Sequence, residues 1–406
     1  MKRRNLLHLL YLLPLLLAVG GCTSDEELLT PAEEITPGTL LSAELIGTSS
    51  ATELAAFIAF AGVSLPEGAI AYDVATYRVE YATTYKGAQI IASGLVILPE
   101  RDSPLSMIGF QHGTIAALDE APSVLPPGNI ERILYQALAA TGIITVVPDL
   151  IGYGSSSQYV HPYYVEELTA SAAYDNLLAA QTLAQDEART FDNDLFLAGY
   201  SQGGYSAMAT HKYIESEGLQ DFRLVATLSA AGGYDLKHFQ EYVFEQETYE
   251  QPFYLALLSY GYQQTYEFSE GLDLIFRERY ASQIPVLLDG RLSGQEINAQ
   301  LSTSIPDLLQ PDILQNLDTD PRYSFVADPL RENSLTDWVP VAPLYIYHGD
   351  ADDWVPYQNS VLTYERLLEN GASPDNLSLT TLPGADHETG LFAYAEQFLP
   401  VLLALD

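Results

Sequence analysis

Cysteine and lysine are both scarce in this chain of 406 residues. The only cysteine is Cys22, so no disulfide can form within the chain and no site with several cysteine ligands can hold a metal. Lysine occurs four times, and 17 basic residues face 54 acidic ones, which gives a formal net charge of -37. So strong an excess of negative charge argues against nucleic acid as a partner and against docking on anionic lipid through a basic surface.

Apolar residues are abundant. Hydrophobic residues make up 48% of the chain and aromatic residues 11%, which is more than a disordered chain contains. The length suits one large domain, or one domain with a sizeable insertion, and such a chain can bury a substantial core. We therefore expect a globular protein.

The first 21 residues have the composition of an export signal. Met1–Arg4 is basic, and Leu6–Val19 is an apolar run that is shorter than the about 20 residues needed to span a bilayer. The run ends in the letters VGGC, which resemble the lipobox of bacterial lipoproteins, where the cysteine becomes the lipidated N-terminus. An acidic cluster, Asp25–Glu27, follows Cys22 and is similar to the surface-export signal of some bacterial lipoproteins.

This resemblance implies a lipoprotein signal peptide over residues 1–21 and a lipid anchor at Cys22. The protein would then be attached to the bacterial cell envelope, at the outer membrane. Residues 22–42 contain acidic residues, prolines and a glycine, a composition that predicts a flexible tether between the anchor and the fold.

Beyond residue 42 the pattern is that of an α/β protein. Two predicted strands joined through Tyr85–Gly87 form a hairpin, and from residue 106 onward strands alternate with helices. This alternation predicts a mostly parallel central sheet covered by helices on both faces, with the hairpin as an antiparallel edge. The predicted strands are Tyr72–Thr83, Ala88–Leu98, Ser106–Phe110, Ile143–Val147, Asp194–Ala198, Leu224–Leu228, Leu344–Tyr347 and Leu377–Leu382. The predicted helices are Leu54–Ala61, Ile130–Ala140, Glu166–Gln185, Gln202–Ser216, Pro356–Glu369 and Thr389–Leu402.

About a hundred residues between two of these strands break the alternation. They have a mostly helical pattern and are rich in tyrosine and phenylalanine. A compact α/β unit does not need so long a connection. The sequence therefore predicts a helical cap inserted at residues 235–340, between a first core part at 43–234 and a second core part at 341–406.

The pentapeptide Gly199–Gly203 has the sequence G-x-S-x-G, with Ser201 at its centre. A predicted strand runs directly into it and a predicted helix runs directly out of it. That context is typical of the nucleophile elbow, a strained turn that exposes a serine at the top of a sheet. The glycines are needed because side chains there would collide with the neighbouring strand and helix.

An aspartate and a histidine follow Ser201 in the order that the same mechanism requires. Asp352 comes after the strand that ends at Tyr347, and His387 comes after the strand that ends at Leu382. Both therefore lie at the same edge of the sheet as Ser201, in the order found in α/β-hydrolases. A serine hydroxyl is a poor nucleophile until an imidazole takes its proton and a carboxylate orients that imidazole. Asp350 remains an alternative for the carboxylate.

Two backbone amides are predicted to bind the oxyanion. The segment Gln111–Thr114, with the letters QHGT, directly follows a predicted strand. The Thr114 N–H and the Gln202 N–H are the natural pair of donors. Polar residues in the neighbouring loops, namely His112, Asp149, His161 and His348, are expected to order those loops. For His161, packing near the site is an open alternative.

The sequence resembles the α/β-hydrolases of the lipase/esterase superfamily. The letters GYSQGG at 199–204, PDLIGYG at 148–154, HPY at 161–163 and HGDAD at 348–352 are similar to motifs of the secretory lipases typified by Candida lipase A and its bacterial relatives. Together with the segments around Gln111–Thr114 and His387, these motifs span residues 106–390. The cap sequence and the cysteine pattern of secreted fungal members are not matched.

The resemblance implies hydrolysis of carboxylic esters through an acyl-enzyme, with Ser201 as nucleophile, Asp352 as orienting acid and His387 as base. No cofactor and no metal are expected, because the chain has neither an H-E-x-x-H motif nor an aspartate-rich calcium loop. The negative charge favours a small neutral ester or an acylglycerol as substrate over an anionic one. Two alternatives remain open: a serine peptidase of the same fold that cleaves short peptides, and a non-catalytic surface lipoprotein that binds a glycan or a protein.

Overall fold

The computed structural model describes residues 35–60, 66, 68–269 and 271–406. The predicted signal peptide, Cys22 and most of the predicted tether lie outside these residues, so the lipid anchor and the location of the protein stay predictions. No helix in the described part of the chain is both long and apolar enough to cross a membrane.

The described strands form one nine-stranded sheet in the order β1-β2-β3-β5-β4-β6-β7-β8-β9. The first three strands and the β3–β5 pair are antiparallel, and the remaining neighbours are parallel. The predicted mostly parallel sheet with an antiparallel hairpin is therefore confirmed. The strands are β1 (Leu40–Ser49), β2 (Val74–Tyr85), β3 (Ala88–Pro99), β4 (Leu105–Gln111), β5 (Ile144–Pro148), β6 (Phe191–Tyr200), β7 (Arg223–Ala230), β8 (Leu344–Gly349) and β9 (Leu377–Leu382).

The helices before β7 and after β8 cover both faces of the sheet, and the helices between these two strands form a separate layer. The α-helices of the described residues follow in chain order. They are α1 (Ala51–Phe60), α2 (Ile130–Ala139), α3 (Glu166–Asp186), α4 (Gln202–Ser216), α5 (Leu236–Glu245), α6 (Pro252–Tyr266), α7 (Glu278–Ala281), α8 (Ile284–Leu287), α9 (Gly294–Asn298), α10 (Ile305–Leu308), α11 (Pro311–Asn316), α12 (Ser324–Glu332), α13 (Tyr357–Glu369) and α14 (His387–Leu405).

Successive side chains of the central strands point to opposite faces, and each face has its own buried cluster. In β4, Met107 belongs to a cluster that includes Leu177 of α3. The next residue, Ile108, belongs to a cluster that includes Tyr394 and Phe398 of α14. Both faces of the sheet are therefore buried, which explains why these strands have continuous apolar runs in the sequence.

Strand β1 begins at Leu40, so the predicted tether over 22–42 is wrong at residues 40–42, where the fold has already begun. The strand pairs with β2 through its backbone along most of its length. Most of its side chains are nevertheless exposed or only half-buried. An edge strand of this kind lacks the apolar alternation on which sequence reasoning depends.

The residues between β7 and β8 form helices α5 to α12, as the helical pattern predicted. Their apolar side chains share one buried cluster with Leu344 and Ile346 of β8 and with Tyr205 of α4. Residues 36–406 accordingly form one compact unit. Helices α5 to α12, called the cap below, are thus packed against β8 and α4.

Candidate active site

Ser201 lies at the turn between β6 and α4 with φ 59° and ψ −123°. A positive φ is unfavourable for a residue with a β-carbon, and such strain is typical of functional sites. The Ser201 N–H donates to the carbonyl oxygen of Ala230 at 2.9 Å, which ties the turn to β7. The structure therefore places Ser201 on a strained elbow at the carboxyl edge of the parallel sheet.

Glycines beside Ser201 allow this turn to lie against its neighbours. A β-carbon on Gly203 would collide with the carbonyl oxygen of Gln111, and one on Gly204 would collide with the carbonyl oxygen of Ala230. Backbone atoms cannot move aside as a flexible side chain can. The close packing of α4 on β4 and β7 thus requires glycine, as predicted.

Replacing Gly204 by alanine is expected to lower the free energy of unfolding by at least about 2 kcal/mol, because the new methyl group overlaps backbone in a packed interior. Urea unfolding followed by circular dichroism measures this change. Gly128→Ala is the matched control, since a β-carbon there meets nothing within 4 Å, and it should shift stability by less than about 0.5 kcal/mol. Equal urea midpoints for the two variants would contradict this account of the elbow.

The structure brings Ser201, His387 and Asp352 together. Ser201 Oγ lies 2.9 Å from His387 Nε2, and His387 Nδ1 lies 2.6 Å from Asp352 Oδ2. All three residues are buried. A carboxylate only accepts hydrogen bonds, so Nδ1 carries the imidazole proton and Nε2 is free to accept the proton of the serine hydroxyl.

Further hydrogen bonds hold Asp352 in its orientation. Its Oδ1 accepts from the backbone N–H of Trp354 at 3.0 Å and of Val355 at 2.9 Å. Its Oδ2 also accepts from His348 Nε2 at 3.2 Å. Burial opposes ionisation of this carboxyl, but the hydrogen bonds from His348 and His387 outweigh burial and lower its pKa to about 2. Asp352 is therefore a carboxylate across the whole range of ordinary assay pH.

Asp350, the alternative acid, has a different environment. It is exposed, and its Oδ1 accepts from the backbone N–H of Gly384 at 2.6 Å. The structure therefore brings Asp352, and not Asp350, to the imidazole of His387.

The two predicted oxyanion residues lie on adjoining segments. Gln202 is the first residue of α4, so its backbone N–H has no carbonyl partner within the helix. The loop after β4 runs beside the elbow, because a β-carbon on Gly113 would be 3.8 Å from the carbonyl oxygen of Tyr200. Thr114, the next residue, has its hydroxyl 2.8 Å from the hydroxyl of Tyr163.

Several contacts of the site were not predicted from the sequence. The ring of Trp354 lies 5.2 Å from that of His387, and the hydroxyl of Tyr200 donates to the His387 carbonyl at 2.8 Å. Both residues are sequence neighbours of predicted site residues, but spacing alone does not indicate these roles. Asp149, by contrast, orders its turn as expected: it is buried and accepts hydrogen bonds from Ser93 and Ser123.

An apolar pocket lies between the cap and the loop that precedes α3. Tyr163 and Tyr249 both line it. Tyr163 contacts Thr114, and the Tyr249 hydroxyl donates to the backbone carbonyl of Trp354 at 3.0 Å. The pocket therefore adjoins both the oxyanion segment and the acid loop. Its described lining includes no aspartate and no glutamate, and no group of three or more potential metal ligands occurs among the described residues.

A serine elbow with a buried histidine and carboxylate, on a mostly parallel sheet, defines a hydrolase class. Residues 68–401 match the model of the alpha/beta hydrolase family. The chain therefore belongs to this family.

Solved structures with the same fold include esterases and lipases. A putative hydrolase from Legionella pneumophila is 26% identical, with a TM-score of 0.82 over 90% of this chain and 98% of that one. A ligand-bound form of the rice cell wall degrading esterase LipA from Xanthomonas oryzae is 23% identical, with a TM-score of 0.79 over 91% and 98%. Candida antarctica lipase A in its closed state is 16% identical, with a TM-score of 0.64 over 88% and 79%. No curated protein sequence matches this chain.

Proposed function

We propose that this protein is a serine hydrolase that cleaves neutral carboxylic esters. One observation carries the proposal: an unbroken line of hydrogen bonds runs from the Ser201 hydroxyl through His387 to Asp352. The arrangement is the one that nucleophilic catalysis needs, because Asp352 is a carboxylate beside Nδ1 of His387 and Nε2 of the same ring faces the serine hydroxyl.

The reaction would proceed through an acyl-enzyme. Ser201 attacks the acyl carbon while His387 takes its proton, and Asp352 stabilises the imidazolium that forms. The Thr114 and Gln202 amides bind the oxyanion, and each such donor is typically worth about 10²- to 10³-fold in rate. His387 then protonates the leaving alcohol, activates water, and allows release of the acid.

The pocket under the cap supports an apolar acyl or alcohol group in the substrate. It is lined by aromatic and aliphatic side chains, and its described lining carries no carboxylate to hold the amino terminus of a peptide. The overall negative charge also favours a neutral substrate. Similarity to an esterase and to a lipase agrees with an ester or an acylglycerol. These points favour ester hydrolysis over peptide hydrolysis.

Labelling with a fluorophosphonate probe tests the proposal directly. We expect stoichiometric labelling, with the adduct located by mass spectrometry on the peptide that contains Ser201. A panel of neutral p-nitrophenyl esters of graded acyl length, run beside aminoacyl arylamides, identifies the substrate class, and we expect turnover of the esters only. Absence of labelling would contradict the proposal and favour a binding protein, whereas faster turnover of arylamides would favour a peptidase.

A further inference from the structure

We propose that His161 and Tyr163 are positioning residues that hold the two oxyanion residues, Gln202 and Thr114, through their side chains. The inference rests on the proposed function and extends it to the loop between β5 and α3. Two side chains of one tripeptide, His161-Pro162-Tyr163, each contact one of the two residues whose amides face the developing charge.

The tautomer of His161 follows from its partners. Its Nδ1 lies 2.6 Å from the carbonyl oxygen of Ile151, which only accepts, so Nδ1 carries the proton. Its Nε2 lies 2.7 Å from Nε2 of Gln202, so this imidazole nitrogen accepts a hydrogen bond from the Gln202 amide. Burial lowers the pKa of His161 to about 4, although the hydrogen bond to Ile151 works in the opposite direction. The ring is therefore neutral at neutral pH, as the bond requires.

The hydrogen bond from Gln202 to His161 orients the Gln202 side chain. Gln202 is 1% exposed, and its other amide atom, Oε1, has no hydrogen-bond partner among the described residues. Gln202 is also the residue directly after Ser201, at the start of α4. Because His161 holds the Gln202 side chain in one rotamer, the first turn of α4 resists rotation. The direction of the Gln202 N–H depends on the orientation of that turn.

Tyr163 contacts the other oxyanion residue. Its hydroxyl shares a 2.8 Å hydrogen bond with the hydroxyl of Thr114, and its ring is 3% exposed. The ring is packed edge-on against that of Tyr164 at 4.5 Å. The hydroxyl of Thr114 is thereby held in place, and with it the loop that follows β4.

The tripeptide His161-Pro162-Tyr163 is closely packed against two neighbouring segments. A β-carbon on Gly152 would lie 2.6 Å from the His161 Cα, and a β-carbon on Gly261 of α6 would lie 2.8 Å from the His161 carbonyl oxygen. The loop is therefore packed between the turn after β5 and a helix of the cap. Preorganised donors stabilise an oxyanion because they need no reorganisation during the reaction, and a loop seated in this way can supply that rigidity.

A double-mutant cycle tests whether His161 acts through Gln202. We use His161→Leu, Gln202→Leu and the double variant, because leucine keeps the volume and the Gln202 backbone N–H. We expect each single variant to lower kcat on p-nitrophenyl butyrate by about 10- to 100-fold, less than the loss of a whole donor, with KM changed less than about twofold. The double variant should lose no more than the more damaged single variant.

Inhibition by a trifluoromethyl ketone provides a second measurement. If His161 and Tyr163 had a merely structural role, the inhibition constant Ki would not change. Ser201 adds to the ketone carbonyl while its proton passes to His387, so the bound inhibitor is a tetrahedral hemiketal oxyanion. Its Ki should therefore rise in parallel with the fall in kcat/KM. In the same assay Tyr163→Phe combined with Thr114→Val should show the same non-additive pattern. Losses that multiply in the double variants, or an unchanged Ki, overturn the inference.

These variants distinguish a wrong positioning role from a wrong enzymatic function. If the wild type has ester turnover that disappears in Ser201→Ala and the His161–Gln202 losses multiply, the positioning role is wrong and the proposed function stands. If the wild type has no turnover that depends on Ser201, both are wrong.

Discussion

Replacing Ser201 by alanine should lower kcat for p-nitrophenyl esters by about 10⁵- to 10⁶-fold, the loss seen when a nucleophile is removed from a triad. The substitution deletes one oxygen whose hydrogen-bond partner in the structure is His387. Alanine keeps the β-carbon that already occupies the strained turn, so the elbow meets no new collision. Stopped assays over hours, with urea unfolding on the same preparation, measure the residual rate and the stability.

Ser216→Ala provides the matched control for this variant. Ser216 ends the same helix, is exposed, and bonds only to a backbone carbonyl in its own last turn. Its kcat should equal that of the wild type within about twofold. A Ser201→Ala variant that kept more than about one per cent of the wild-type rate would show that another group attacks the ester.

Asp352→Asn should lower kcat by about 10⁴-fold, the size of effect reported for the equivalent change in serine proteases. Because Oδ1 accepts two backbone N–H groups, the amide oxygen of asparagine must occupy that position. The amide NH₂ then faces Nδ1 of His387 and donates to it. This forces the imidazole proton onto Nε2, where it faces Ser201 and prevents the base from taking the serine proton.

Asparagine substitutions at the flanking acids test the specificity of this effect. At Asp350 the new amide oxygen can still accept from the Gly384 N–H, and Asp353 is exposed. Both variants should keep kcat within about fivefold of the wild type. The pH–rate profile of Asp352→Asn is measured in the same assay. A larger loss of kcat in Asp350→Asn than in Asp352→Asn would overturn the assignment of the acid.

The comparison of α4 and β1 shows where sequence patterns have predictive power. Helix α4 has the predicted bounds, residues 202–216, because its first turn contains glycines that admit close backbone contact and the rest of the helix contributes buried apolar residues. Strand β1 carries little apolar pattern because its side chains are mostly exposed and backbone pairing holds it. Helix α14 begins at His387, two residues before its predicted start, since Asp386 caps its first turn by accepting from the Thr389 N–H.

The sequence by itself determined the α/β class, the elbow serine, and the aspartate and histidine that follow that serine in order. These features depend on local residue patterns and on the order of residues along the chain, and both can be read directly from the sequence. Only the tertiary structure decided between Asp352 and Asp350, two residues apart on one loop, because the choice depends on which carboxylate reaches His387. It also placed His161 and Tyr163 against Gln202 and Thr114, since contacts between segments distant in the chain arise only when the sheet brings its loops to one edge.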